Sequence, residues 1–258
     1  MAENANQAGS GPAVKVKDLM RDTRRSAFRK YRDVCYGDVG LWRVIKAEVL
    51  TLCVGGMPGA AGLFLRSKLY RGLFRKAGRS LVIGRNVTLR HAHKISLGDN
   101  VVLDDNCVLD AKGDTNRGIV IEDNVFIGRN TIIYCKNGDI NIGRNVNISS
   151  NCQIMSSNRL TIGADTVVAA FCYFLSGGEY DFMDTARKFS EQSGMVTHGE
   201  LRIGCNCWIG AGVLVLDAAC IGDHCVVGAG AVVTKPIPRD SLAVGVPARV
   251  LRQLPASP

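Results

Sequence analysis

The feature that most constrains this chain is a period of six. From Leu201 to Thr234 it reads LRIGCNCWIGAGVLVLDAACIGDHCVVGAGAVVT, with aliphatic residues at Ile203, Ile209, Val215, Ile221, Val227 and Val233 and a small residue four places after each of the first five. Such spacing fits neither an α-helix nor an ordinary alternating strand. Hexapeptide repeats point to a parallel β-helix, in which six residues make one short flat side and three sides complete a triangular coil.

The track continues upstream. Its inward positions are Ile83 and Leu89; Leu97, Leu103 and Leu109; Ile121, Ile127 and Ile133; Ile142, Ile148 and Ile154; Ile162, Val168 and Phe174. Spacing is six within each group, and irregularity falls only between groups. The pattern predicts an all-β solenoid over residues 81–234, with six full coils, a partial one, and every insertion leaving one corner. Function is expected along that loop-bearing corner, because binding residues collect on loops held by a rigid scaffold. The largest excursion, residues 175–200, carries Glu179, Tyr180, Asp181, Asp184, Glu191 and His198 beside Gly177-Gly178. A loop this long on a tight solenoid is rarely a mere connector.

Ten cysteines raise the question of disulfides or metal. Cys107, Cys152, Cys172, Cys207 and Cys225 fall in the small-residue slot and read as buried hydrophobes. The remaining cysteines and the four histidines lack metal-ligand spacing, so no metal is expected. Free thiols and a polar start without an apolar core suggest a reducing cytoplasm.

Charge is unevenly spread. Residues 1–80 hold 16 Lys or Arg against 6 Asp or Glu, a net of +10, whereas the rest holds 16 against 17, a net of −1. Residues 1–16 read as disordered. The segment 17–80 reads as helical: a basic stretch over 17–34, an apolar helix over 41–54 broken at Gly55-Gly56-Met57-Pro58, and a basic amphipathic helix over 63–78. Residues 49–65 carry no charge, and 17 residues is the lower limit for crossing a bilayer. Two readings stay open: the helices lie on an anionic cytoplasmic leaflet, or they cap the open end of the solenoid. Nucleic acid is not expected, because the basic segment lacks an aromatic reading surface. After Val233, Pro236 and Pro238 argue against further coil hydrogen bonding, so residues 235–258 read as a C-terminal cap with a short helix.

The run CWIGAGVLVLDAACIGDHCVVGAGAVVTKPIPRDSLAVGVPARVLR resembles the C-terminal signature of hexapeptide-repeat acyltransferases, in particular the galactoside, maltose and polysaccharide O-acetyltransferases. The N-terminal helices followed by IGRNVTLRHAHKISLGDNVVLDDNCVLDAKG are similar to a membrane-associated subgroup. The resemblance implies a left-handed parallel β-helix and a homotrimer with sites between subunits. It also implies acetyl-CoA as co-substrate and a sugar or lipid-linked glycan as acceptor. Cofactor-contacting positions carry over to Ala211, Ala229, Thr234, Lys235, Arg249 and Arg252, and Trp208 stands beside the acceptor. Small residues let a pantetheine arm approach the backbone, and cations meet phosphates.

The catalytic position departs from the family. Relatives carry a histidine in a GG-D-H-D-F context, where this chain has Gly177-Gly178-Glu179-Tyr180-Asp181-Phe182. A base working at neutral pH should titrate near 7, and a phenol ordinarily titrates about 10. Either Tyr180 is activated by a cation such as Lys188, or Glu179, Asp181 or His198 replaces it. Otherwise the chain is a catalytically silent scaffold or CoA-binding protein. Transfer to an amino sugar is the remaining variant. His91 and His93 lie four coils before the excursion, roughly 19 Å away at about 4.8 Å per coil.

Overall fold

The computed structural model describes residues 23–178, 180–192 and 196–255. The stretch expected to be disordered, 1–16, and the start of the first basic helix lie outside these residues. The repeat folds as expected into a left-handed parallel β-helix. Three sheets form its sides. The first side runs from Lys76–Ala77 to Cys220–Ile221 in seven strands, and the third from Thr88–Arg90 to Val232–Val233 in seven. The second has nine, from Val82–Ile83 through Ser241–Val244 to Arg249–Gln253.

Register explains the period. Ile121, Ile142, Ile162, Ile203 and Ile221 pair Cα to Cα down the first side. Ile127, Ile148, Val168, Ile209 and Val227 do so down the second. Ile133, Ile154, Phe174, Val215 and Val233 do so down the third. All of these are buried, and so are the five small-slot cysteines. Each of those thiols donates to a carbonyl of the following coil, for example Cys107 Sγ to Gly128 O at 3.2 Å and Cys225 Sγ to Pro238 O at 3.1 Å. All ten cysteines are free. Burial pushes the Cys107 thiol up to about 12, so it stays protonated.

The corners rest on asparagine. At the first corner, between first and second sides, Asn100, Asn124, Asn145, Asp165, Asn206 and His224 all have positive φ. Asn tolerates this region better than other side chains. Their amides also form a ladder: Asn100 Nδ2 donates to Asn124 Oδ1 (2.9 Å), Asn124 Nδ2 to Asn145 Oδ1 (3.1 Å) and Asn145 Nδ2 to Asp165 Oδ1 (2.8 Å). The second corner repeats the device with Asn86, Asn106, Asn130 and Asn151. The third corner carries the insertions at 91–94, 111–118, 136–138 and 177–200, as the spacing predicts.

Both ends of the solenoid reach further than the repeat pattern indicates. Lys76–Ala77 pairs with Ser96 and Leu97 and completes the first coil, where the sequence reads as amphipathic helix. At the other end Ile237 sits between the two prolines, donating its amide to Cys220 O (2.8 Å) and accepting from Gly222 N (2.9 Å). Pro236 and Pro238 flank the bonding residue, so their missing N–H groups cost no ladder bond. Seven coils are complete and an eighth begins. The cap consists of Ser241–Val244 and the antiparallel Arg249–Gln253 in place of the expected short helix.

Among the described residues three α-helices precede the coils: α1 (Ala27–Cys35), α2 (Leu41–Leu50, extended by a wider turn over Thr51–Gly55) and α3 (Gly59–Leu69). Ser26 caps α1 by accepting from Arg29 N (3.3 Å), the geometry expected of a serine N-cap. Tyr36 and Tyr31 both donate to the Glu48 carboxylate, joining α1 to α2. Burial and that carboxylate push the Tyr36 phenol well above its ordinary range. Arg66 of α3 is 2% exposed and has three carbonyl acceptors: Ile83 O (2.9 Å), Val54 O (3.0 Å) and Met57 O (2.7 Å). Gly62 permits this closeness, since a Cβ there would stand 2.1 Å from Met57 O. The hairpin thus docks on the first coil, also through Asn86 N to Gly55 O (2.9 Å). Arg66→Ala removes three charge-assisted hydrogen bonds to carbonyls, at about 1.5–3 kcal/mol each. The expected outcome is release of the hairpin, read as faster proteolysis within residues 41–75 and a lower Tm.

Candidate functional site

The excursion leaves the fifth coil after Tyr173–Ser176. Gly177 and Gly178 turn it out with φ of 78° and 95°. At such φ values a side chain would be strained, so this exit favours glycine. The Gly178 amide donates to Val196 O (3.1 Å), closing the neck of the loop. Tyr180 lies beyond that bond on the outward arm, and His198 lies beyond it on the return arm. The Tyr180 ring is 46% exposed and packs edge-on against Phe189, with centroids 5.9 Å apart.

The other proposed bases divide by position. Asp181 spends its carboxylate on the loop, accepting from Met183 N (3.0 Å) and Asp184 N (3.3 Å). Its backbone is clamped by Gln192, which accepts from Asp181 N (2.8 Å) and donates to Asp181 O (2.9 Å). His198 is exposed and tied through its backbone amide to the Asp217 carboxylate, which Thr197 Oγ1 also contacts at 3.2 Å. Glu179 lies outside the described residues.

The cofactor positions are all exposed but do not form one surface of one chain. Ala211 and Ala229 stack at the second corner, joined by Gly230 N to Ala211 O (2.8 Å). Thr234 and Lys235 follow Val232–Val233, at the third corner. Arg249 and Arg252 lie on the final strand, opposite Val244 and Leu242 at the edge of the second side. At the second corner the asparagine ladder gives way to Gly212 and Gly230, with φ of 68° and 69°. A Cβ at either would find no atom within 4 Å, so the backbone there is open to a ligand.

Trp208 is 59% exposed on the second side and pairs with Val167 and Val226. It lines a depression of about 440 Å³ with Asp165, Val167, Asn206, His224 and Val226. His224 stands at the first corner with φ of 55°. Its Nδ1 lies 2.9 Å from Asp240 Oδ1, and Arg239 Nε donates to the same carboxylate (2.8 Å). His224, then Arg239, hold the Asp240 carboxyl below its ordinary range. His91 and His93 are far up the stack, as the spacing implies. His91 is buried against Asp110 (3.1 Å) under the end of α1. Burial, then the neighbouring His91 and Lys94, depress His93 to about 4, so it is neutral at pH 7.

Fold and corner geometry together define a hexapeptide-repeat protein with an open backbone track on its second corner. Comparison with known proteins agrees. The model for bacterial transferase hexapeptide (six repeats) matches residues 201–235, and that for the hexapeptide repeat of succinyl-transferase matches 118–156. Both matches fall on the coils, so the chain carries hexapeptide repeats of the kind these models describe. The galactoside O-acetyltransferase of Escherichia coli is 36% identical over 123 residues, 48% of this chain and 58% of that one. The chain thus spans under three fifths of the curated relatives it matches. Among solved structures, an N-acyltransferase of Bacillus cereus complexed with dTDP and coenzyme A aligns with a TM-score of 0.51 at 20% identity, over 74% of this chain and 90% of that one. A polysialic acid O-acetyltransferase aligns at 0.52 and 19%, over 71% and 84%. These likenesses establish the shared fold.

Two features escape reasoning from the period of six alone. One is the asparagine ladder, whose signal is an Asn just before the small-residue slot in coil after coil. The other is the loss of that Asn where the ladder meets the last three coils.

Proposed function

We propose that the protein transfers an acetyl group from acetyl-CoA to a hydroxyl of a sugar or lipid-linked glycan, as a homotrimer held at an anionic membrane surface. The observation that carries this reading is the open corner. Ala211-Gly212 and Ala229-Gly230 stack where no side chain covers the backbone. A pantetheine arm could lie against that backbone, and similarity to the galactoside O-acetyltransferase favours the same chemistry. Lys235, Arg249 and Arg252 would meet the phosphates, and Trp208 the acceptor. Bound acetyl-CoA supplies an activated thioester; the chain must supply a base for the acceptor hydroxyl, and Tyr180 holds that position.

The placement of these groups supports the homotrimer. Ala211 and Ala229 occupy the second corner while Thr234 and Lys235 occupy the third, so a groove using both would form between two chains. The second side also presents an outward row of Val82, Val102, Phe126, Val167, Trp208 and Val226, interrupted by Asn147, which is suited to packing against another copy. Titration of the full chain with acetyl-CoA tests the reading. Saturation at about 100 times Kd should stabilise the fold by roughly 2.7 kcal/mol, seen as a rise in Tm. An unchanged Tm at millimolar acetyl-CoA overturns it.

The second reading, a silent acyl-CoA-binding scaffold, is favoured by Tyr180 standing where relatives have histidine. It shares the binding prediction and differs in turnover.

A further inference from the structure

One residue on the second corner breaks both of its patterns. The positive-φ position is Asn86, Asn106, Asn130 and Asn151 in the first four coils, and Gly212 and Gly230 in the last two complete ones. Between them stands Phe171, with φ of 62°. A bulky residue in the left-handed region is strained, and such strain persists where something else is gained from the side chain. Packing within the chain does not supply that gain, because Phe171 is 66% exposed there. It is an aromatic ring held out at a corner where Asn would fold more comfortably.

Its position along the stack is specific. The Phe171 amide donates to Ser150 O (3.1 Å), and the Gly212 amide donates to Ala170 O (2.9 Å), so Phe171 caps the open track directly above Gly212. Above it the corner is closed again by the Asn130–Asn151 amide contact (3.2 Å). Phe171 belongs to the fifth coil, the coil from which the Tyr180 excursion departs, while the cations Lys235, Arg249 and Arg252 lie at the opposite, C-terminal end. A linear acyl-CoA with its phosphates at that end would run past Ala229 and Ala211 and present its thioester at Phe171.

We propose that Phe171 is the wall that limits acyl-chain length, admitting an acetyl group and refusing longer aliphatic chains. The inference rests on the acyl-CoA reading above, and it adds a specificity-determining residue to it. The ring fills the space into which carbons beyond the acetyl methyl would extend. Asn at the same place, with a shorter side chain and no strain, would leave that space free.

The test uses the full chain, its Phe171→Asn and Phe171→Ala variants, and acetyl-, butyryl- and hexanoyl-CoA as probes in binding titrations. Wild type should favour acetyl- over hexanoyl-CoA by roughly tenfold or more, the range set by extra methylenes meeting a filled wall. In both variants the preference should shrink to about twofold or less while acetyl-CoA still binds. Without ligand, Phe171→Asn should raise Tm by about 2–4 °C as the strain is relieved. A wild-type preference that survives in both variants overturns the proposal, as does an absence of preference in wild type. A Tm that falls in Phe171→Asn also overturns it, because the ring would then be a packing element. If no acyl-CoA binds wild type, the acyl-CoA reading itself falls and this proposal with it. Binding of acetyl-CoA with unaltered discrimination sinks the wall alone.

Discussion

Tyr180→Phe should lower acetyl transfer by roughly 10²–10⁴-fold, the range for losing a positioned proton-transfer group, while leaving acetyl-CoA affinity unchanged. The substitution removes one oxygen. The ring contact with Phe189 survives it, and so do the Gly178–Val196 bond at the loop's neck and the Gln192 clamp on Asp181. A loss of rate therefore reports on the hydroxyl and not on a collapsed loop. Among the other candidates, Asp181 already accepts two loop amides, and His198 lies on the return arm at Asp217. Their substitution should perturb the loop and cost less in turnover. A phenol acting as base gives a rate that climbs about tenfold per pH unit until the phenol itself titrates, whereas an ordinary imidazole gives a plateau above neutral pH. Equal rates for wild type and Tyr180→Phe across that range would remove Tyr180 from the chemistry. Tyr180→His separates the two functional readings. In a silent scaffold the histidine creates transfer where wild type has none; in a tyrosine-dependent enzyme, wild type already turns over.

The sequence revealed the scaffold because one constraint repeats. Every inward position must be a buried aliphatic in Cα register with the next coil, so the period of six survives even where the third corner grows an insertion of more than twenty residues. The ends were hidden by local rules that register overrides. Lys76–Ala77 continues a helical pattern but finds a partner strand in Ser96–Leu97. Pro236 and Pro238 look like breakers, but the bonds are made by Ile237 between them. At the site, the period assigns Ala211 and Ala229 to one corner and Thr234 and Lys235 to another. It does not say that an acyl carrier would need a second chain to bring them together. Phe171 was legible only against the asparagines above it and the glycines below it, once their positive φ was known. Of the two readings of the N-terminal helices, the structure carries the cap, through Arg66 and the Asn86–Gly55 bond, and leaves the membrane reading to experiment.

Replacing Trp42 and Leu52 together by glutamate should weaken partition to anionic vesicles by at least about 100-fold. The inner face of the hairpin caps the first coil with Val54, Tyr70, Phe74 and the buried Arg66. The outer face presents Leu52 (86% exposed) and Trp42 (76%), with Leu41, Val49, Phe64 and Leu63 also uncovered. Arg43 and Lys46 share α2 with this face, and Lys68 Nζ lies 5.8 Å from the Phe64 ring centre. Among the described residues no helix is long and apolar enough to cross a membrane. Exposed apolar side chains beside cations are the composition of a helix that lies in the headgroup region. Each large apolar side chain taken from water is worth about 1.5–3 kcal/mol, and each 1.4 kcal/mol is tenfold in affinity. Two therefore contribute two orders of magnitude or more before the added repulsion between glutamate and anionic lipid. The measurement is co-sedimentation with phosphatidylglycerol-containing vesicles, paired with a blue shift of Trp42 emission on binding. Both substitutions lie on the outer face, so Tm should hold while partition falls. Equal sedimentation of wild type and double variant would mean that this face meets no membrane. Equal binding of wild type to zwitterionic vesicles would mean that the excess of ten positive charges over residues 1–80 plays no part in the contact.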